Sequence, residues 1–505
     1  MSVSPAARPA HPISTDPPAP LQDHPAAAAR LASLRAQIRA EMDMMSFATQ
    51  PWVIGQQYAG QDIPDVVIIG AGQSGLGLGH MLKRRGITNV LLLDRNPAGY
   101  EGVWDTYARN HEIRSPKGIT GLEMGLPSLT VHSWFVARYG QPAWDAITRV
   151  PRVQWMEYLR WYRAIADLQI RNDVTVTDIA FDADGVSLTT ADGGAIRSRY
   201  VVLATGMEGG GDWAVPDFIR DALPPTAYSH VCHGFDAAAL RGKDVGVLGA
   251  GASAFDASVA ALDAGARSVQ TFMRRPDASL RDLVRAFEYS GFLGHAAQLS
   301  HQTKWDLGVF LSGVSQAPAE HHFNRALAFD NFRFWRGAPW TALRYEAGQV
   351  VVDTPKGTFR FDHIIAATGL TSDMTLRPEL QHIAAAALRW GDVFQPSAGR
   401  DSTRLRQPLI DADYRFQPRA PGSAPGLTRV YTFNSLAMAS MGGLSAVSIS
   451  SHRYGLPRLA DAMTKALFLD QEHLLIPMLE QIDTPCMTLS PYAREVLGLN
   501  DAPDV

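Results

Sequence analysis

The residues best placed to do chemistry form two glycine fingerprints. The first, Gly70-Ala71-Gly72-Gln73-Ser74-Gly75, directly follows the apolar run Asp65-Val66-Val67-Ile68-Ile69. The second, Gly249-Ala250-Gly251-Ala252-Ser253-Ala254, follows Asp244-Val245-Gly246-Val247-Leu248. Gly70 permits a tight turn, Gly72 lets a pyrophosphate approach the backbone, and Gly75 lets the next helix pack against its strand. The first N–H groups of such a helix have no internal partner and face the phosphates. One motif of this kind is weak evidence. Two, each after a strand and opening a helix, imply two dinucleotide sites with electrons passing between them.

The residues downstream distinguish the two sites. Asp94, nineteen residues after Gly75 and followed by Arg95, ends the next apolar run, Val90–Leu93. A carboxylate there accepts hydrogen bonds from ribose hydroxyls, which suits FAD. The corresponding strand after the second fingerprint, Ser268–Met273, ends instead in Arg274-Arg275. Two guanidiniums pair the 2′-phosphate of NADPH, so NADPH is favoured over NADH.

The elements that must carry these motifs follow a duplicated plan: strand, glycine turn, helix, strand, β-meander, closing strand, Ala-Thr-Gly. In the first copy Val174–Ile179 and Gly185–Thr190 read as meander strands, and Tyr200–Leu203 closes on Ala204-Thr205-Gly206. In the second, Gln349–Asp353 and Thr358–Phe361 flank a Pro355-Lys356-Gly357 turn, and the closing strand ends in Ala367-Thr368-Gly369. The expected fold is therefore α/β, with two Rossmann-like domains, the second inserted in the first. The expected boundaries are a disordered tail at 1–25, a helix and linker at 26–63, and the FAD unit at 64–210 and 359–465. Between the FAD segments lies the NADPH unit at 211–358, and a C-terminal segment follows at 466–505. Residues 281–345, rich in aromatics, read as a mostly helical insertion: either a packing layer or dimer surface, or a wall over the flavin.

Composition narrows the class. The 505 residues are 46% hydrophobic and 19% charged, with net charge −4, which disfavours a broad nucleic-acid or anionic-membrane surface. No apolar run approaches the roughly 20 residues needed to span a bilayer. Two distant cysteines, Cys232 and Cys486, form neither a disulfide framework nor a metal-ligand set, and lack the pairing a disulfide reductase needs. A reducing cytoplasm is the expected compartment. Ala26 to about Phe47 has helical spacing at Leu31, Leu34, Ile38 and Met42, so it should pack on the body or on a second subunit of a homodimer, with an intracellular address as the alternative.

With Glu101-Gly102-Val103-Trp104 added to these motifs, the chain resembles the class B flavin-dependent monooxygenases from about residue 64 to 460. That group holds flavin-containing, Baeyer–Villiger and N-hydroxylating monooxygenases. The resemblance implies that Gly102 and Trp104 lie near the flavin and that Arg114-Ser115-Pro116-Lys117 passes the isoalloxazine ring. It also implies that Pro151–Leu159 lies over the FAD and that Asn434 precedes the backbone at the pyrimidine edge. Arg114, Lys117 and Asn434 are thus the candidate catalytic residues. One signature departs: where relatives carry F-x-G-x-x-x-H, this chain has Pro224-Pro225-Thr226-Ala227-Tyr228-Ser229-His230. Its Ser-His is closer to the N-hydroxylating branch.

The activity expected from the resemblance is FAD- and NADPH-dependent transfer of one oxygen atom from O2, through a C4a-(hydro)peroxyflavin, to a small organic substrate. An amine nitrogen or thioether sulfur is the favoured acceptor. Baeyer–Villiger oxidation of a ketone, NADPH oxidation without oxygenation, and a non-catalytic NADPH-sensing flavoprotein are the alternatives. No metal enters the scheme.

Overall fold

The computed structural model describes residues 20–47, 50–278, 280–314, 317–397, 402–443, 448–483 and 487–499. Two five-stranded parallel sheets organise the chain. The first has the order Val430–Thr432, Tyr200–Leu203, Val66–Ile69, Val90–Leu93, Gln169–Arg171. The second has the order Tyr228–His230, His363–Ala366, Asp244–Leu248, Ser268–Met273, Phe332–Arg336. The central strands are covered on both faces, which is why they read as unbroken Val, Ile and Leu runs without alternation. Each sheet carries a three-stranded antiparallel meander: Val176–Asp182, Gly185–Thr190 and Ala195–Ser198 on the first, Ala342–Glu346, Gln349–Thr354 and Gly357–Phe361 on the second.

The duplication extends to individual hydrogen bonds. Gly70 N–H donates to Leu93 O at 2.7 Å, and Gly249 N–H donates to Phe272 O at 3.0 Å. Ala204 N–H donates to Ile69 O at 2.8 Å, and Ala367 N–H donates to Leu248 O at 2.8 Å. The chain leaves the first unit after Ala204 and returns after Ala367. The two passages pair as an antiparallel ribbon, Gly211–Trp213 against Leu370–Ser372.

Several expected boundaries move. The second unit does not end at 358: Gly357–Phe361 completes its meander and His363–Ala366 lies within its sheet, so the return begins at Ala367. A closing strand belongs to the sheet whose fingerprint it flanks, and the Ala-Thr-Gly after it marks the crossing. Among the described residues of 281–345, α-helix covers Leu283–Ala286, Ser290–His295, His301–Val314 and Glu320–Ala328. Its last part supplies the edge strand Phe332–Arg336 and the meander strand Ala342–Glu346, so Phe332, Phe334 and Trp335 pack in a β-sheet rather than a helical layer. The helix Ile449–Asp470 also runs past 465.

Of the expected N-terminal tail, residues 1–19 lie outside the described residues. Leu21 packs on the main core, and Arg138 Nε donates to Asp23 Oδ1 at 2.9 Å, so the docked chain begins earlier than 26. The helix Ala27–Met44 buries Leu34 and Ile38 against that core. Among the described residues no helix is long and apolar enough to cross a membrane.

The helical segment leans back from the second unit onto the first. Ser450 Oγ donates to Glu288 Oε1 at 2.8 Å, and Arg458 Nη1 donates to Gly294 O at 2.7 Å. Trp305 joins Trp390, Leu409 and Ala439 in a separate small core. The segment therefore spans the two units, and burial of these groups holds them together.

Candidate active site

Both fingerprint helices, Gln73–Arg84 and Ala252–Asp263, start at a glycine with no side-chain cap. No side chain caps their first turns, and the aligned peptide dipoles favour an anion there. Gly70 has φ +104° and Gly249 φ +121°. A Cβ on Gly70 would stand 2.5 Å from Ala204 O, and one on Gly249 would collide with Ala367 O. Each fingerprint turn thus lies directly against its own Ala-Thr-Gly crossing. A Cβ on Gly75 would penetrate Gly70 O, whereas the matching position in the second turn, Ala254, carries its methyl fully buried. The second helix stands far enough off to accept it.

Asp94 ends its strand as expected, but its carboxylate already has two protein partners. Ala71 N–H donates to Oδ2 and Asn96 N–H to Oδ1, each at 2.8 Å. Burial raises its pKa, and these backbone donors oppose the rise. Each oxygen keeps a lone pair, so the group fits ribose hydroxyls while tying the glycine turn to the strand end. A Cβ on Gly72 would stand 3.2 Å from Gly102 Cα. Two glycines back to back leave the flat opening that a pyrophosphate needs. The uncapped amides, this opening and the acid fit FAD.

Gln73 organises the flank of that opening: Trp104 Nε1 and Trp155 Nε1 both donate to its Oε1, at 3.3 and 3.2 Å. Ser74 faces away, its Oγ 2.9 Å from His452 Nε2 on the helix Ile449–Asp470. Burial pushes the His452 pKa down to about 4, so the imidazole is neutral. Arg95 also turns elsewhere, pairing both carboxylate oxygens of Glu208 at 3.2 and 2.9 Å. That bond ties the strand end to the crossing, as does the hydrogen bond from Asn434 Nδ2 to Thr205 Oγ1 at 3.0 Å. Gly206 and Gly369 take φ of +68° and +83° where the chain turns between units. Thr368 Oγ1 donates to Ala214 O across the same ribbon.

The three candidate catalytic residues separate by environment. Asn434 is fully buried, and its Oδ1 accepts from Leu436 N–H and Thr432 Oγ1 at 2.9 and 2.7 Å. With Thr205 also bound, only one of its N–H donors is uncommitted, and it acts as a positioning residue. Lys117 Nζ donates to Trp144 O at 2.7 Å and lies 5.2 Å from that indole's centroid. It lines a cavity of about 380 Å³ together with His132, Trp144, Trp155 and Tyr158. Arg114, at the other end of the same turn, makes no hydrogen bond or ion pair to the described residues. Burial lowers its pKa, and the charge of Asp256 in the second unit opposes that fall. Ser115 lies partly buried between them.

At the second site Ser253 and Arg274 are exposed, and Arg274 has no partner among the described residues. Arg275 is partly committed, Nη2 donating to Ser312 O at 3.3 Å. His230 is structural: Cys232 N–H donates to its Nδ1 at 3.2 Å, and its ring stacks on Trp213.

Sequence reasoning gave no role to the acids that hold this frame. Glu101 is buried and accepts from Gly99 N–H and Asn172 Nδ2, each at 2.9 Å, with Arg163 Nε at 3.2 Å. Asp105 pairs with Arg152 and Arg160, fixing the helix Arg152–Ala166 over the Gly102–Trp104 turn. The acids flanking the Gly-x-Trp segment were the available signal.

The arrangement has counterparts among known proteins. The pyridine nucleotide-disulphide oxidoreductase family model matches residues 67–285, which contain both fingerprints. An FAD-dependent urate hydroxylase of Xanthomonas campestris pv. campestris is 39% identical over 449 residues, covering 88% of this chain and 95% of that one. The chain belongs to that family. It is an FAD-dependent monooxygenase, as the order of its motifs implies. Ornithine hydroxylase from Pseudomonas aeruginosa shares the fold, with TM-score 0.61 and 18% identity over 80% of this chain and 100% of its own. So does L-lysine 6-monooxygenase from Pseudomonas syringae, with TM-score 0.59 and 17% identity over 80% and 99%. The disulfide chemistry in the family model's description finds no support at Cys232, whose thiol pKa is pushed up to about 12 by burial. Cys486 lies outside the described residues.

Proposed function

We propose that this monooxygenase hydroxylates urate or a closely related oxopurine, using NADPH and O2. The observation that carries the reading is the full-length likeness to a urate hydroxylase, which extends across both units and the helical segment between them. Arg114 supports it, because a buried guanidinium that makes no hydrogen bond or ion pair among the described residues is suited to an anionic ring. Urate, NADPH, O2 and one proton give hydroxylated urate, NADP+ and water.

FAD would be held by the turn at Gly70, Gly72 and Gly75, by Asp94, and by the Gln73–Trp104–Trp155 flank. NADPH would be held by Gly249, Gly251, Ser253 and Arg274, with Arg275 in second place because of its bond to Ser312. When bound, the flavin supplies the two-electron chemistry that splits O2 between substrate and water. The chain's own residues bind and orient. Arg114 fixes the substrate anion, while Lys117, held by the Trp144 carbonyl, keeps the wall of the adjoining cavity in place. The helical segment, packed on both units, excludes water from the cleft.

The test is to mix FAD-loaded enzyme and NADPH with urate, and to measure NADPH, O2 and urate consumption together. Equal consumption of all three supports the reading. NADPH oxidation with urate untouched overturns it, and a parallel panel of amines, thioethers and ketones then reads the acceptors expected from the sequence.

A further inference from the structure

A second cluster of chemically capable residues lies where the helical segment meets the first unit. His111 comes from the stretch between Trp104 and Arg114, and His321 and His322 from the first turn of the helix Glu320–Ala328. One ring nitrogen from each lies within 4.8 Å of the other two. The His111 and His322 rings meet edge-on with centroids 4.4 Å apart, and His321 lies 5.5 Å from His111.

His322 is 2% exposed, and its Nε2 is buried with no hydrogen-bond partner among the described residues; the same is true of His111 Nδ1. A buried polar atom left unsatisfied is costly unless something joins it. The other nitrogen of His322, Nδ1, bonds the carboxylate of Asp256, itself mostly buried on the second fingerprint helix. A carboxylate on Nδ1 fixes that proton and turns the Nε2 lone pair outward, the arrangement seen behind metal-bound imidazoles. Glu112, Glu320 and Asp263 also lie in the field of the cluster, and the cations Arg149 and Arg325 there are paired with Glu112 and Asp263.

We propose that His111, His321 and His322 bind a divalent transition-metal ion of the zinc class, oriented by Asp256. Three imidazoles with an open fourth position make a recognised zinc donor set. A tetrahedral ion with bonds of about 2.0–2.1 Å needs donor nitrogens about 3.4 Å apart, a closure that small side-chain rotations supply. Because His111 belongs to the first dinucleotide unit and the other two ligands to the second, the ion cross-links the units. The site does not depend on the identity of the oxygenated substrate.

The experiment uses untagged, full-length, FAD-loaded protein titrated with Co2+ and Zn2+. The expected result is one Co2+ per chain with the visible bands of a tetrahedral nitrogen site, displaced by Zn2+. His111→Ala and His322→Ala should each weaken binding by about 100-fold or more, and Asp256→Asn by about 10–100-fold with stoichiometry kept. Zn2+ should raise the thermal midpoint of the wild type and not that of His111→Ala. Absence of stoichiometric Co2+ binding by the wild type overturns the proposal. So does binding that survives both histidine substitutions in variants that retain flavin. Should the variants lose their fold, X-ray absorption of the Zn2+-loaded wild type decides: three imidazole ligands sustain the site and any other donor set removes it.

Discussion

Asn434 and Thr205 join the last strand of the first sheet to the point where the chain leaves it, Nδ2 donating to Oγ1 at 3.0 Å. The same amide oxygen caps the following turn through Leu436 N–H. Asn434→Ala therefore removes three buried hydrogen bonds beside the point where the chain leaves the first unit. At about 1–3 kcal/mol for each buried group left unsatisfied, stability should fall by several kcal/mol and the flavin should be lost more readily. Denaturant unfolding and retained flavin absorbance on gel filtration check this. An unchanged midpoint would show that the bonds contribute nothing.

The two fingerprints should respond oppositely to a methyl group. Gly75→Ala places Cβ inside the Gly70 carbonyl oxygen, which is backbone and cannot rotate away. That variant is expected to purify without flavin. Ala254→Gly should cost only about 0.5–1 kcal/mol, the usual penalty for glycine within a helix, and should keep both cofactors. The visible spectrum of each purified protein is the readout.

Arg274 and Arg275 differ in availability, so their effects on NADPH should differ too. Arg274→Ala should raise the NADPH KM about 10–100-fold, since a charged hydrogen bond contributes about 1.5–3 kcal/mol, and should leave NADH nearly unaffected. Arg275→Ala should have the smaller effect, because its guanidinium already serves Ser312 O. Equal losses for both nucleotides would place the arginines away from the 2′-phosphate.

Acid should weaken the fold through buried neutral histidines. Burial lowers the pKa of His80 to about 3 and those of His230, His363 and His452 to about 4. Between their ordinary value of 6.5 and about 4 the unfolded chain binds more protons than the folded one, so stability falls as pH drops through that window. Asp65 acts in the opposite sense. Burial outweighs its partner Arg199 and raises its pKa to about 6, so the folded state holds the extra proton below that value. Burial raises Asp94, Glu112 and Asp411 in the same direction as Asp65, while His111, also lowered to about 4, joins the four histidines; the histidines carry the larger displacement, and the net expectation is a falling unfolding midpoint from pH 6.5 to 4. A midpoint flat over that range would contradict the burial argument.

Much of this was legible because the motifs are local. A glycine fingerprint, the acid or arginine at the end of the next strand, and an Ala-Thr-Gly each sit within one strand-turn-helix or strand-turn passage. What sequence could not show were encounters over long separations. Arg95 reads as a ribose neighbour of Asp94, yet it is spent on Glu208, more than a hundred residues away. Phe332 and Trp335 carry no mark distinguishing helix packing from an edge strand, because aromatic residues suit both until a neighbour such as Ser268–Met273 pairs with them. The meeting of His111 with His322 depends on the helical segment folding back across the cleft, which no spacing encodes.

Arg114 carries the substrate reading and is the place to test it. Its guanidinium stays charged, has no partner among the described residues, and faces the second unit through Asp256. Losing a charged hydrogen bond to an anionic substrate should raise the urate KM about 10–100-fold in Arg114→Ala, by the same 1.5–3 kcal/mol. The NADPH KM should be unchanged, and Arg114→Lys should recover part of the loss, since lysine keeps the charge without the planar fork. Lys117→Ala should behave differently, costing stability through the Trp144 contact more than substrate affinity. A fall in kcat for Arg114→Ala with the urate KM unmoved would assign the residue to the flavin or nicotinamide, and the anion-binding role would be lost.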